Sequence, residues 1–273
     1  MLVHTIPLTQ PHTLTAEPLT REAFAPFGDV LANPRPAFRP SNTPPSTIAA
    51  GVLPLGAVSA NQGTAIQYRG LGSIHNLYAQ APGGGQAASP RVTMFVCEAR
   101  QLTPVRGDGD GDEGFAVRVL ERHPFTTQTF VPLTADQGKR YLVIVAPSLA
   151  PSAADADLPV PSSSASSSSS SPAPVPGGSS SSVPPRLPGR GLPDVSGLRA
   201  FIATGEQAVT YGAGTWHAPM VALGPADSTI DFIVFQFADD VPVEDCQEVA
   251  FAEENASARI MARVPRSLRR SKL

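Results

Sequence analysis

Two ionisable residues one position apart, Glu121 and His123, head the part of this sequence able to do chemistry. They lie in Leu120-Glu121-Arg122-His123-Pro124, which is followed by Thr127-Gln128-Thr129-Phe130. A carboxyl and an imidazole aimed inward are expensive to bury without partners, so together they mark a site where protons move or a ligand is held. The competing reading is a buried ion pair that only orders a strand end. Far along the chain, Trp216-His217-Ala218-Pro219 offers another imidazole, and an inert histidine packed beside Trp216 is its plain alternative. Taken with Glu121, His123 and Gln128, His217 completes a set of convergent polar groups that is costly to keep without a ligand.

Strands have to position these groups. Phe115, Val117 and Val119 precede the pair at every second position, the period of a half-buried strand. Continuing that period places Glu121 and His123 on the face the three apolar residues occupy, the inside of a sheet or barrel. Pro124 breaks the run, and Thr127–Pro132 reads as a second strand with Gln128 and Phe130 facing one way. Glu-x-His, four residues and then Gln is the spacing of the first cupin motif, in which side chains from adjacent strands converge inside a small β-barrel. His217 follows the corner at Gly214 and the turn at Gly205, as the single histidine of the second cupin motif does, with one residue more than usual after Gly205.

The remaining segments fit an all-β domain. Pro18–Leu31 reads as a short helix entering a strand, with Thr20 as N-cap, Phe24 and Phe27 on one face and Gly28 as the stop. Residues 33–56 are Pro-rich and are expected to run over the surface. Asn61–Arg69, Ser73–Ala79, Arg91–Cys97, Tyr141–Ala146, Leu198–Tyr211 and Ile230–Phe237 supply further strands. From 148 to 191 the composition collapses into Ser, Pro, Ala and Gly, so a disordered insertion is expected there. Residues 250–264, rich in Ala, Glu and Arg, are the one stretch with a helical look beyond a turn or two. The expected organisation is a single discontinuous domain over 1–147 and 192–252, with a basic tail over 253–273.

Bulk properties narrow the function further. A net charge of −3 and a pI of about 5.9 give no electrostatic case for nucleic acid or an anionic membrane. Cys97 and Cys246 make no disulfide framework and fit a reducing compartment. No apolar run is long enough for a membrane span, and Met1–Gln10 lacks the character of a signal peptide, which leaves the sequon at Asn255 idle. The glycines at 83–85 lack the Gly-Lys-Ser/Thr of a phosphate loop. The acids of 108–113 lack the Gly and Glu that a calcium loop needs at its sixth and twelfth places. Ser271-Lys272-Leu273 matches the peroxisomal import tripeptide and predicts recognition by the import receptor.

Taken together, Leu120–Pro124, Thr127–Pro132, Leu198-Arg199-Ala200-Phe201 with Gly205-Glu206-Gln207, and Trp216–Pro219 closely resemble the ureidoglycolate lyase family, formerly called ureidoglycolate hydrolase. Phe24–Val30 and Asp231-Phe232 fit the resemblance too, which covers nearly the whole chain outside the insertion and tail. It implies a cupin-like antiparallel β-barrel, a homodimer, and cleavage of ureidoglycolate into glyoxylate and urea during purine (allantoin) degradation. Two positions depart from the family: Gln67 stands where bacterial relatives carry Arg, with Arg69 two residues on, and Ala218 stands where many carry a second His.

The implied reaction needs a base for the hydroxyl proton, an acid for the departing nitrogen and a cation for the carboxylate. No water is consumed, and the chain offers no Gly-x-Ser-x-Gly elbow. An imidazole, whose ordinary pKa is near ~6.5, suits the base, and His217 is the candidate. Glu121 or His123 suits the acid, or helps His217 and Gln128 bind a divalent metal ion that lowers the hydroxyl pKa. Arg69 is the expected partner of the carboxylate, by bidentate pairing. Arg122 is expected to point away from the site and to be structural. Two other functions compete: a cupin-type metal oxygenase or isomerase, which would hold iron and release no urea, and a non-catalytic binding module, which would lose nothing on His217→Ala.

Overall fold

The computed structural model describes residues 1–83, 88–105, 113–162, 190–255 and 257–265. The glycine run, the acidic loop, most of the Ser-rich run, the sequon's middle residue, and the basic end with its tripeptide lie wholly or mostly outside the described residues. The described chain is mostly β-strand with a few short helices, as expected, and its strands form several sheets.

The strand Arg140–Ala146 explains the layering. Its run Tyr-Leu-Val-Ile-Val-Ala is buried throughout because both of its faces are covered. Tyr141, Val143 and Val145 join Phe24, Phe130, Phe201, Tyr211 and Phe232 in one core. Leu142, Ile144 and Ala146 join Leu120, Trp216, Val249 and Ile260 in another. Each such side chain removed from water contributes roughly 1.5–3 kcal/mol before entropy is counted.

This strand belongs to a central sheet ordered Leu2–Leu8, Gln247–Glu253, Val119–Arg122, Trp216–His217, Arg140–Ala146, Arg199–Thr204, Glu17–Pro18. Against one face packs a five-stranded sheet ordered Gly28–Leu31, Ala208–Tyr211, Gln128–Pro132, Thr229–Ala238, Ser89–Glu98. Against the other packs a smaller sheet ordered His12–Thr15, Ile260–Val264, Glu113–Val117, Thr103–Pro104. Local signals hold where expected: the Thr20 hydroxyl accepts from the Ala23 amide at 3.2 Å and caps the helix Arg21–Phe24. Gly28 has φ +151°, and a Cβ there would lie 1.9 Å from the Thr210 carbonyl, so the backbone pairing at that strand entry needs glycine.

Several expectations are corrected. The alternation from Phe115 does not run through to His123: Val117 and Leu120, three apart, enter the same core, so the face resets at Arg118 between two strands. Glu121 still points inward, but toward the opposite core from Val117. Residues 250–253 and 260–264 are strand, not helix. Gln247–Glu253 pairs with Val119–Arg122 and Leu2–Leu8, and Ile260–Val264 lies between His12–Thr15 and Glu113–Val117. Ile260, Ala262 and Val264 are buried, so the expected tail from 253 supplies core; its Ala and Glu content misread a period-2 pattern. The insertion expected over 148–191 begins too early, since Asp155 is buried and residues 148–162 are described; the part of that expectation over 163–189 lies outside the described residues. Ser73–Ala79 makes one isolated bridge, Asn76 to Thr126, in place of a strand.

Candidate active site

Glu121 and His217 are direct cross-strand partners in the central sheet, and His217 is also opposite Val145. Their shared face looks toward the five-stranded sheet, from which Gln128 and Tyr211, themselves paired across strands, approach. His123 follows Glu121 just past the strand end. The structure therefore brings together four of the residues singled out by sequence. His217, His123 and Gln128 are buried, and the Glu121 side chain is 19% exposed.

Hydrogen bonds fix the imidazoles. His217 Nδ1 donates to the Thr215 carbonyl at 2.8 Å, and His123 Nδ1 donates to the Asp245 carbonyl at 2.6 Å. A carbonyl only accepts, so both rings carry their proton on Nδ1 and turn Nε2 toward the site. His217 Nε2 lies 3.6 Å from Glu121 Oε1 and 3.2 Å from Gln128 Oε1, while Gln128 Nε2 donates to Gln236 at 2.7 Å. His123 Nε2 is buried with no hydrogen-bond partner. Acceptors thus outnumber donors at one point, an arrangement satisfied by an added proton, a substrate hydroxyl or a cation. Ligand atoms of Glu121, His123 and His217 all lie within 4.8 Å of one another, so the donor set fits a divalent metal ion.

The electrostatics follow from burial and from these contacts. Burial pushes the His123 imidazole down, aided by His217 and opposed by Glu121. Burial pushes the Glu121 carboxyl up, but the hydrogen bond and charge of His217, with the charge of His123, outweigh it and leave it below the usual carboxylate range. Cys246 Sγ lies 3.9 Å from Glu121 Oε2, and burial beside that carboxylate pushes its thiol up to about 12, which rules out a thiolate nucleophile at neutral pH.

Arg69 is not brought to this cluster. It is exposed beside the small hairpin of Val58–Ala60 and Ala65–Gln67, its amide bonded to the Leu55 carbonyl. Among the described residues no Lys or Arg side chain bonds to the four site groups. Arg100 lies over Phe115 at a separate surface cavity of about 440 Å³, and Arg199 pairs with Glu17 over Phe201. Arg122 does point away, as expected. It is wholly buried, with Nε donating to Gln247 and the other nitrogens to the Gly191 and Arg190 carbonyls. Burial pushes it down to about 10 against the field of Asp155, so it stays charged at neutral pH.

Sequence reasoning missed Tyr211, whose ring stacks on His217 with centroids 3.9 Å apart at 11°. It also missed the Asp245 and Thr215 carbonyls and Gln236. Only the pairing of Gln128 with Tyr211 and the fold of the acidic stretch 239–248 place them, and neither leaves a local sequence mark.

The chain is similar to known proteins along most of its length. The family model described as ureidoglycolate lyase matches residues 11–258. A ureidoglycolate lyase from Saccharomyces cerevisiae is 29% identical over 247 residues, covering 88% of this chain and 95% of the relative. One from Schizosaccharomyces pombe is 31% identical, covering 85% and 88%, and one from Burkholderia mallei is 32% identical, covering 81% of each.

Proposed function

This chain belongs to the ureidoglycolate lyase family, and on that premise we propose that it cleaves ureidoglycolate into glyoxylate and urea in purine (allantoin) degradation, at the cluster of Glu121, His123, Gln128 and His217. The observation that carries the assignment to this cluster is the meeting of a carboxyl and an imidazole from one strand and its end with an imidazole from the neighbouring strand, with His123 Nε2 buried and unpartnered.

The geometry suits a proton shuttle. His217 Nε2, its ring held through Nδ1, takes the hydroxyl proton as the carbon–nitrogen bond breaks and the aldehyde forms. Glu121, held ionised 3.6 Å from that nitrogen, stabilises the imidazolium that forms, and the same Nε2 proton passes to the departing ureido nitrogen, so the proton that leaves oxygen ends on urea. The stacked Tyr211 ring keeps the imidazole plane fixed and excludes water from its face.

His123 Nε2, Gln128 Oε1 and a Glu121 carboxylate oxygen are then the donors left to hold a divalent cation, His217 Nε2 being taken by the proton. Such an ion, when bound, lowers the pKa of a hydroxyl and screens a carboxylate. With no Lys or Arg side chain bonded to the four site groups among the described residues, a cation is the candidate to meet the substrate carboxylate. Incubating purified protein with racemic ureidoglycolate, with and without chelator, and following glyoxylate tests both parts. Glyoxylate in untreated enzyme supports the lyase reading, its loss with chelator supports the metal, and no glyoxylate under any metal addition ends the reading.

The spacing of the site residues supports a cupin-like description of the domain. The exposed outer face formed by Val92, Met94 and Val96 on the edge strand Ser89–Glu98, with Phe235 beside it, supports a homodimer covering that face. Val96→Glu is expected to halve the mass measured by light scattering; an unchanged mass overturns that interface. Ser271-Lys272-Leu273 supports peroxisomal import, for which removal of Leu273 should leave a fluorescent fusion in the cytosol.

A further inference from the structure

The central sheet carries two adjacent cross-strand rows behind one another. Glu121 is opposite both His217 and Glu248, while the next row holds Arg122, opposite Gln247 and, by the same register, beside Trp216. The first row faces the reaction and the second faces the opposite core. The Arg122 guanidinium lies over the Trp216 ring at 4.4 Å and has none of its exposure left. Among the described residues it pairs with no carboxylate. Its partners are Gln247 Oε1 at 2.9 Å and the Gly191 and Arg190 carbonyls, each at 3.1 Å.

A buried cation with no carboxylate in contact, held by dipoles, a ring and the field of Asp155, is costly, and apolar residues of similar size would serve a purely structural purpose more cheaply. What the guanidinium does that they could not is bind in several directions at once. Trp216 precedes His217 and itself donates to the Gly191 carbonyl at 3.0 Å. Gln247 follows closely on Asp245, the carbonyl that orients His123, and donates to the Pro159 and Val243 carbonyls. Arg122 itself separates Glu121 from His123. The two roots of the Ser-rich insertion, near Pro159 and at Arg190–Gly191, supply acceptors to this network directly behind the site.

We propose that Arg122 is a positioning residue: from the rear face of the sheet, braced by the insertion's roots, it sets the spacing of Glu121, His123 and His217. The distances of 3.2–3.6 Å around His217 Nε2 tolerate little drift before proton transfer suffers. Lysine, a single point charge that cannot fork or stack as a plane, would not replace it.

The kinetic arm rests on the ureidoglycolate reading, and a spectroscopic arm does not. Arg122→Lys and Arg122→Met are compared with Arg199→Met, which removes another ring-stacked arginine, paired with Glu17 and separated from His217 by Val145 in the same cross-strand row. Expected for Arg122→Lys is a fall in kcat of roughly 10–100-fold with KM little changed, as for other residues that orient site groups. In histidine-labelled protein, the Nδ1–H resonances of His123 and His217, each held by a carbonyl, should shift or broaden in the Arg122 variants and stay in place in Arg199→Met. Folded Arg122 variants with wild-type kcat and unmoved resonances overturn the proposal. So does failure of both variants to fold, which would make the residue structural only. Wild-type enzyme without glyoxylate production would sink the substrate reading, while the resonances still decide the role of Arg122.

Discussion

The two rows that share the strands Val119–Arg122 and Trp216–His217 differ in how their polar groups are satisfied. On the rear row, every directed group of Arg122 and the Trp216 Nε1–H has an acceptor, and the charge rests on a ring. On the front row, Glu121, His217, Gln128 and His123 present acceptors to one another and leave His123 Nε2 without a partner. Neighbouring residues on one backbone, a bond apart, are thus in a closed network on one face and an open one on the other. Full satisfaction rigidifies; a deficit of donors leaves capacity for a substrate or an ion.

Breaking the front row should cost rate. His217→Ala is expected to lower kcat/KM by roughly 10²–10⁴-fold with the circular-dichroism spectrum preserved, since it removes a proton-transfer group but no core volume beyond the ring. Glu121→Gln keeps the shape and removes the charge, and a loss of about 10²-fold is expected, read by glyoxylate formation. A variant at wild-type rate would remove the Glu121 charge from the proton transfer. Breaking the rear row at Trp216 should cost stability first: Trp216→Phe removes the hydrogen bond to Gly191, worth about 1 kcal/mol in denaturant unfolding, and leaves kcat within a few-fold.

The smallest effect sharpens the contrast by pH. The His123 imidazole is depressed in the folded protein, so between that value and the ordinary imidazole value the unfolded chain binds more protons than the folded one. Its contribution is complete above pH ~6.5 and declines as pH falls toward the folded value. Glu121, also depressed, acts in the same direction at lower pH. The thermal midpoint of chelator-treated protein should fall between pH 7 and 5, and fall less in His123→Gln; parallel curves would contradict the assignment.

Much of the candidate cluster was legible because the signals are local. Glu121, His123 and Gln128 lie within one short stretch, and His217 follows a glycine corner, so their types and spacing survive without a fold. Arg69 was not legible: its place depends on where the hairpin around Asn61–Gly63 is carried, and that hairpin stays at the surface. Nor was the reset at Arg118, because alternation measures one strand and a face change between two strands leaves no mark in composition. Ile260–Val264 was lost for a related reason, since its partners are residues 12–15 and 113–117, far away in sequence.

The amino-acid sequence alone determined that this chain is all-β, that a carboxyl and two imidazoles are its candidate reactive groups, and that it resembles the ureidoglycolate lyases, because period-2 patterning and short motifs are properties of neighbouring residues. Only the tertiary structure decided which groups meet. Cross-strand register puts Glu121 against His217 and Arg122 against Gln247, and register is set by pairings between distant segments that no local window contains.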